Sequence, residues 1–395
     1  MEFENLFNRK TSLFFDDFSQ NISVIDEALK NSKILIIGGA GSIGQSVVKN
    51  IILRNPKKID VIDISENNLV ELVRSLRSDN KYTMCEFKTF AIDAGSLEFE
   101  LFIKENNNYD YILNLSAMKH VRSERDKFTL MRMIEVNIFN TNKVFEYVLA
   151  NNLKKYFAVS TDKAANPGNI MGCTKYIMEL FLMERSKEFL TSTARFANVA
   201  FSDGSLLQGI QKRLEKGQPI SAPKDIKRYF IMPEEAGELC VMSCVLGNNR
   251  DIFFPKVSDE LKLTSFPEII KKYLHKFGYD AFECSSEDEA KKRVNELKLK
   301  KKWPCYFFNS NTTGEKSFEE FFTKNETIDF QKFKNLGVIR NNFIDNSEAL
   351  SNFTNRLQGL RQQGFWTKQD LTKLIFSLVP QAEYNDTGLN LDQRM

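Results

Sequence analysis

Thr161, Asp162 and Lys163 place a hydroxyl, a carboxyl and an amine in consecutive positions where the apolar run Lys155 to Ser160 ends. If that run is a strand of a parallel sheet, all three emerge at its carboxyl edge, where ligands bind in such folds. An acid and a base side by side can divide two proton transfers, one to a departing hydroxyl and one from carbon, each tuned by the other's charge. The plain alternative is a surface Asp and Lys in a loop. Lys175 follows in NPGNIMGCTK (Asn166 to Lys175), with Met171 four positions before it. A thioether neither takes up nor gives a hydroxyl proton, so Met171 brings no acid–base chemistry of its own.

A second constellation is GGAGSIG, Gly38 to Gly44, entered directly from the apolar Ile34 to Ile37 and followed by Val47, Val48 and Ile51 at helical spacing. Gly38, Gly41 and Gly44, with Ser42 and Ile43 between them, permit a tight turn, close approach of backbone to a pyrophosphate and close helix-to-strand packing. The helix N-terminus adds donors and a positive dipole. The spacing predicts a dinucleotide site. Asp63, about twenty residues on, can accept from a ribose 2′-hydroxyl and repels a 2′-phosphate, which favours NAD over NADP. Asp93 closes the next strand, where it can reach an adenine amino group or cap the following helix.

The elements that must position these residues alternate regularly. Strands are predicted at 34–37, 59–64, 87–92, 111–115, 155–160 and 194–199. Helices are predicted at 42–54, 67–77, from 134 to 151, and from 206 to 216, with another ending near Lys104. Short apolar strands alternating with amphipathic helices specify an α/β fold: a doubly wound parallel sheet of the Rossmann type, with a smaller C-terminal substrate-binding lobe. The division that follows is a helical N-terminal extension (1–32), a NAD-binding Rossmann domain (33–200), a substrate lobe (201–330) with strands returning to the sheet, and a C-terminal extension (331–395). In the prefix, Ile22, Val24, Ile25 and Leu29 fall near one helical face.

Composition removes other classes. With 55 basic and 52 acidic residues the chain has no net field for nucleic acid. Only two histidines and six scattered cysteines argue against a zinc site and for reduced thiols. No secretion signal or membrane span is read, which predicts a cytoplasmic protein. The lysine-rich stretch around Trp303 reads as a solvated helix face.

The ordered motifs GGAGSIG, LSAMKHV (Leu115 to Val121), STDKAANPGNIMGCTK, RFANV (Arg195 to Val199), KRYFIMPEEA (Lys227 to Ala236) and TTGEKSFEEF (Thr312 to Phe321) resemble the extended short-chain dehydrogenase/reductase superfamily. Within it they resemble the bacterial polysaccharide-biosynthesis group that includes UDP-N-acetylglucosamine 4,6-dehydratases. The resemblance implies a UDP-sugar substrate and a cycle of hydride removal from C4, loss of water across C5 and C6, and hydride return to C6. It implies Asp162 as the acid at the C6 hydroxyl and Lys163 as the base at C5. Thr161, or Ser160 beside it, then bonds the C4 oxygen, and Lys175 holds the nicotinamide ribose. Lys119 and His120 line the site, Asn137 orders the backbone, and Asn198, Ser205 and Arg228 hold the nucleotide diphosphate. It also implies a homo-oligomer paired through the helices 134–151 and 174–187, although both can bury their apolar faces within one subunit.

This sequence departs from the superfamily at the tyrosine of YxxxK, which is Met171; some of the dehydratase group share this MxxxK. Arg122 replaces a proline, and RFANV replaces RFGNV. Two other functions remain beside the dehydratase: an epimerase or partner enzyme that processes a 4-keto or unsaturated intermediate made elsewhere, and a silent sensor of NAD or nucleotide sugar.

Overall fold

Every side chain from Ile34 to Ile37 is buried, and successive ones leave opposite faces of the strand. Ile34 and Ile36 join Val47, Val48 and Ile51 of the helix Ser42–Ile52 in one apolar cluster; Leu35 and Ile37 join Phe99, Ile103 and Val144 in another. Cover on both faces explains the uninterrupted apolar run.

The computed structural model describes residues 6–7, 9–82, 85–147, 153–310 and 316–384. On the strand β1 (Lys33–Ile37) it builds a nine-stranded sheet with β2 (Lys58–Asp63), β3 (Glu86–Ala91), β4 (Tyr111–Asn114), β5 (Lys155–Thr161), β6 (Thr191–Phe196), β7 (Asp251–Pro255), β8 (Thr327–Asp329) and β9 (Leu336–Arg340). The spatial order is β8-β9-β7-β6-β5-β4-β1-β2-β3. Strands β1 to β7 run parallel, β9 is antiparallel to β7, and β8 is antiparallel to β9. The winding reverses between β1 and β4, so a crevice opens beyond their carboxyl ends. This is the doubly wound Rossmann architecture.

β7 and β8 return to the sheet from within 201–330, and β9 joins it from inside 331–395. The prefix is also no free extension. Leu13, Phe14, Phe18, Ile25 and Leu29 enter the main core, whereas Val24 is exposed. Arg9 forms a buried ion pair with Glu235 at 2.7 Å, and Asp17 accepts the backbone N–H groups of Lys334 and Asn335 at 2.5 and 2.7 Å. Such long-range pairings leave no local trace.

The helix expected at 134–151 starts earlier, at Lys127, because Asp126 caps it by accepting from Phe128 N and Thr129 N. It passes through a π-helical turn, Glu135–Phe139, and continues as Asn140–Tyr147; residues 148–152 lie outside the described residues. Its apolar face and that of the helix Ile170–Arg185 are filled by the chain's own C-terminal helices. Leu350, Phe353 and Leu357 from Ser347–Gln363, and Leu371, Leu374 and Ile375 from Lys368–Leu378, pack there on Leu130, Ile134, Ile177 and Phe181. Ile134, Ile177 and Phe181, on the two helices that the resemblance names for subunit pairing, thus pack against this chain's own C-terminal helices.

Above the sheet edge sits a smaller lobe, whose parallel strands Asp280–Glu283, Lys302–Phe308 and Ile220–Pro223 form a separate sheet. Its core gathers Ile220, Ile269, Tyr273, Leu274 and Trp303. Trp303 is buried and donates its indole N–H to Gln218 O at 3.0 Å, while Lys300, Lys301 and Lys302 face solvent. All six cysteines are free thiols. No helix among the described residues is long and apolar enough to cross a membrane.

Candidate active site

Gly38, Gly41, Ser42, Ile43 and Gly44 form one wall of a cleft of about 640 Å³. Gly38 has φ +73°, and a Cβ there would stand 2.7 Å from Ser116 N. At Gly44 a Cβ would meet Gly38 O at 2.3 Å. Gly41 differs: the nearest protein atom to a Cβ would be Gly38 O, at a comfortable 3.6 Å. Packing within the protein does not demand glycine at Gly41. Ser42 Oγ accepts from Asp203 N at 2.8 Å, which ties the loop to the turn that opens the lobe.

Asp63 accepts from Ala40 N at 3.0 Å and from Ser65 N at 2.9 Å, so its carboxylate braces the glycine loop from the end of β2. Asp93 does not cap the next helix. Ser96, immediately before Leu97–Glu105, does so by accepting from Phe99 N, while Asp93 accepts from Gly95 N at 2.8 Å and pairs with Arg132.

The facing wall is the end of β5. Thr161 Oγ1 donates to Asp162 Oδ1 at 2.9 Å, and the same oxygen receives Lys163 Nζ at 3.0 Å. Asp162 is buried, whereas Thr161 and Lys163 line the cleft. Burial opposes the charge of Lys163, but the carboxylates of Asp162 and Glu319 outweigh it and hold the ammonium above the ordinary lysine range. Ser160 also lines the cleft, yet its hydroxyl donates to Glu179 at 2.5 Å. Of the two neighbouring hydroxyls, Thr161 is therefore the one coupled to Asp162. Glu179 also receives Arg195, through Nε at 3.0 Å and Nη2 at 2.8 Å.

Met171 is buried and lines the cleft, its backbone N–H held by Glu124 Oε1 at 2.7 Å. One turn on, Lys175 is buried with Nζ 3.1 Å from Met178 Sδ. Burial brings its ammonium down to about 8, against the pull of Glu179. Tyr176 leaves on the other side of the helix and packs with the C-terminal helices.

Lys119, His120, Asn198 and Ser205 complete the cleft. Lys119 Nζ donates to Ser202 Oγ at 3.1 Å, and Ser205 caps the helix Leu206–Glu215. Asn137 is fully buried and clamps Met118, accepting from its N–H at 2.8 Å and donating to its carbonyl at 3.0 Å. Arg228 is not on the cleft wall. Its guanidinium is buried and donates to Lys316 O at 2.9 Å and Ser317 O at 3.3 Å, because the strand Lys227–Arg228 turns it toward that segment.

Residue-by-residue reading passed over Glu179, Ser202 and Glu319. Glu179 was signalled only by its place one helical turn beyond Lys175, and Glu319 by lying in TTGEKSFEEF, whose Thr312 to Glu315 fall outside the described residues.

A family model described as polysaccharide biosynthesis protein matches residues 34–341. The chain belongs to this polysaccharide biosynthesis protein family. Among relatives, an uncharacterized membrane protein of Methanocaldococcus jannaschii is 28% identical over 80% of this chain and 87% of its own length. A UDP-N-acetylglucosamine 4,6-dehydratase (inverting) of Campylobacter jejuni is 29% identical over 59% of this chain and 69% of its own. The chain spans about half the length of two further curated relatives, both named for polysaccharide biosynthesis. Among solved structures, Pen from Bacillus thuringiensis superposes with a TM-score of 0.62 at 23% identity, over 81% of this chain and 90% of that one. WbmF of Bordetella bronchiseptica, solved with NAD+ and UDP, gives 0.51 at 18% identity, over 62% and 77%. These likenesses carry the family's fold, and the cleft stands at the same sheet edge that its doubly wound architecture reserves for ligands.

Proposed function

We propose that this family member is a nicotinamide-dependent 4,6-dehydratase of UDP-N-acetylglucosamine, using NAD in preference to NADP and giving a 4-keto-6-deoxy sugar for glycan biosynthesis. The observation that carries the reading is the run Thr161–Asp162–Lys163, joined through one carboxylate oxygen at 2.9 and 3.0 Å opposite the glycine loop. The fit of a dinucleotide rests on Gly41, a glycine that protein packing does not require. Gly38 to Gly44, Asp63 and Lys175 are the residues that would hold it. When bound, the nicotinamide supplies hydride acceptance at C4 and hydride return at C6.

The chain's own residues manage the protons. With Met171 in place of a tyrosine, Thr161 takes the C4 hydroxyl proton while passing its own to Asp162. Protonated Asp162 then loses the charge that holds Lys163 as an ammonium, so Lys163 gives a proton to cleft water and becomes the neutral amine that removes the C5 proton acidified by the C4 ketone; the ammonium so regained returns a proton to C5 as hydride reaches C6. Asp162 delivers its proton to the C6 hydroxyl, which departs as water. One carboxyl thus serves oxidation, base activation and elimination in turn. Lys119, His120, Asn198 and Ser205 are positioned along the same cleft for the sugar nucleotide.

A second reading, an epimerase or a partner enzyme fed with a 4-keto or 5,6-unsaturated intermediate, is favoured by one observation: Met171 is buried in the cleft wall where oxidation at C4 ordinarily relies on a phenol. Incubation with UDP-N-acetylglucosamine alone in deuterated water, followed by proton NMR, separates the two. A 4-keto-6-deoxy product labelled at C5 supports the dehydratase; no reaction until another dehydratase is added overturns it.

A further inference from the structure

Lys316 to Glu320 is a strap across the loop that carries Asp162 and Lys163. Lys316 Nζ donates to Asn166 O at 2.6 Å, and Asn166 Nδ2 donates to Glu320 Oε2 at 2.7 Å. On the lobe side, Arg228 donates to the carbonyls of Lys316 and Ser317, and Lys227 N donates to Ser317 O at 3.1 Å. Between these ties, the buried Glu319 carboxylate stands with Oε1 3.8 Å from Lys163 Nζ and 3.9 Å from Arg228 Nη2. It is thus a second carboxyl beside the amine, brought from a segment far along the chain.

Resting on the dehydratase reading for its catalytic consequence, we propose that Glu319 is a positioning residue for Lys163, holding the amine toward the strap and opposing its loss of a proton while Asp162 changes charge. The groups facing Lys163 are Asp162 on its own loop, Glu319 on the strap and Arg228 on the lobe strand, while Lys316 acts on Glu319. Asp162 is the partner that the reaction protonates. Glu319 lies outside that proton path: burial and Asp162 push its carboxyl up while Lys163, Arg228 and Lys316 draw it down, and it remains beside the ammonium that Lys163 becomes on taking the C5 proton. A fixed anion at this distance changes a neighbour's affinity for a proton by about one unit or more.

The test needs no turnover. In the full chain, trace labelling of amines by acetic anhydride across a pH series, read by mass spectrometry, gives the apparent pKa of Lys163 directly. The wild-type value is expected above that of exposed lysines such as Lys300, and Glu319→Gln is expected to lower it by about one unit, with Glu319→Asp nearer wild type. Superimposable curves for wild type and Glu319→Gln overturn the proposal. So does a wild-type Lys163 that titrates below exposed lysines, a result that stands even if Glu319→Gln does not fold. With UDP-N-acetylglucosamine, the acid limb of the kcat profile is expected to move to lower pH in Glu319→Gln. Absence of wild-type turnover overturns the dehydratase reading, while the labelling curves still decide the role of Glu319.

Discussion

Thr161 Oγ1 donates to Asp162 Oδ1 across 2.9 Å, a bond between sequence neighbours at the point where β5 gives way to a single helical turn. If this bond is the proton path from the C4 hydroxyl, Thr161→Val removes it while keeping the shape of the side chain. The variant is expected to fold normally and to lose about 100-fold or more in kcat, with Thr161→Ser restoring much of the rate. Unchanged steady-state kinetics for Thr161→Val would remove the threonine from the path.

The three loop glycines divide by cause, and calorimetry can separate them. Gly41→Ala has room within the protein, so its melting temperature is expected near wild type while its affinity for NAD falls by about tenfold or more, through obstruction of the pyrophosphate. Gly44→Ala brings a methyl group against Gly38 O and the Gly39 backbone, and is expected to lower the melting temperature as well. Equal NAD affinity for Gly41→Ala and wild type would contradict the assigned binding mode.

Lys175 is buried as a cation at neutral pH, and its folded value of about 8 lies below that of an ordinary lysine. Between about 8 and the ordinary lysine value the unfolded chain binds more protons than the folded one, so this group makes stability rise with pH across that window. Lys175→Met is expected to stabilise the apo protein at pH 7 by about 1–3 kcal/mol while abolishing turnover. Urea denaturation at pH 7 and 9.5 checks the sign, and the difference between wild type and variant should shrink at the higher pH.

Burial pushes the carboxyl of Glu238 up to about 7, with Ser12 donating to it and Glu235 beside it adding to the rise. The folded chain therefore binds the extra proton between the ordinary carboxyl value and about 7, and stability from this group falls as pH climbs through that interval. Glu238→Gln is expected to raise the melting temperature at pH 7.5 and to leave it little changed at pH 4.5. A larger gain at pH 4.5 than at 7.5 would show that the side chain acts otherwise.

Much of the site was legible because its parts are local. The glycine loop needs only a strand, a turn and a helix in succession, and Thr161, Asp162, Lys163 and Lys175 sit on one strand end and the helix after it, so sequence order alone places them near each other. Period and apolar runs likewise sufficed for β1, whose double cover leaves an unbroken hydrophobic stretch, and placed β2 to β5 closely, whereas the strand expected at 194–199 is Thr191–Phe196, a largely polar run that is nonetheless buried. The protein groups that a side chain meets were less legible. Asp93 is drawn to Arg132, and Arg228 to the carbonyls of the strap, because the groups that capture them come from other parts of the chain.

The amino-acid sequence by itself determined the doubly wound sheet, the glycine loop between its first strand and helix, and the residue types available for proton transfer, since each follows from local spacing and burial. Only the tertiary structure decided that Asp162 shares one oxygen between Thr161 and Lys163 and that Glu319 reaches Lys163 from the far end of the chain. It also decided that the prefix locks onto Glu235 and Asn335, and that the C-terminal helices close the face of Ile170–Arg185. Those contacts join segments far apart in sequence, and they are selected by which buried charges and apolar faces the completed core leaves to be satisfied.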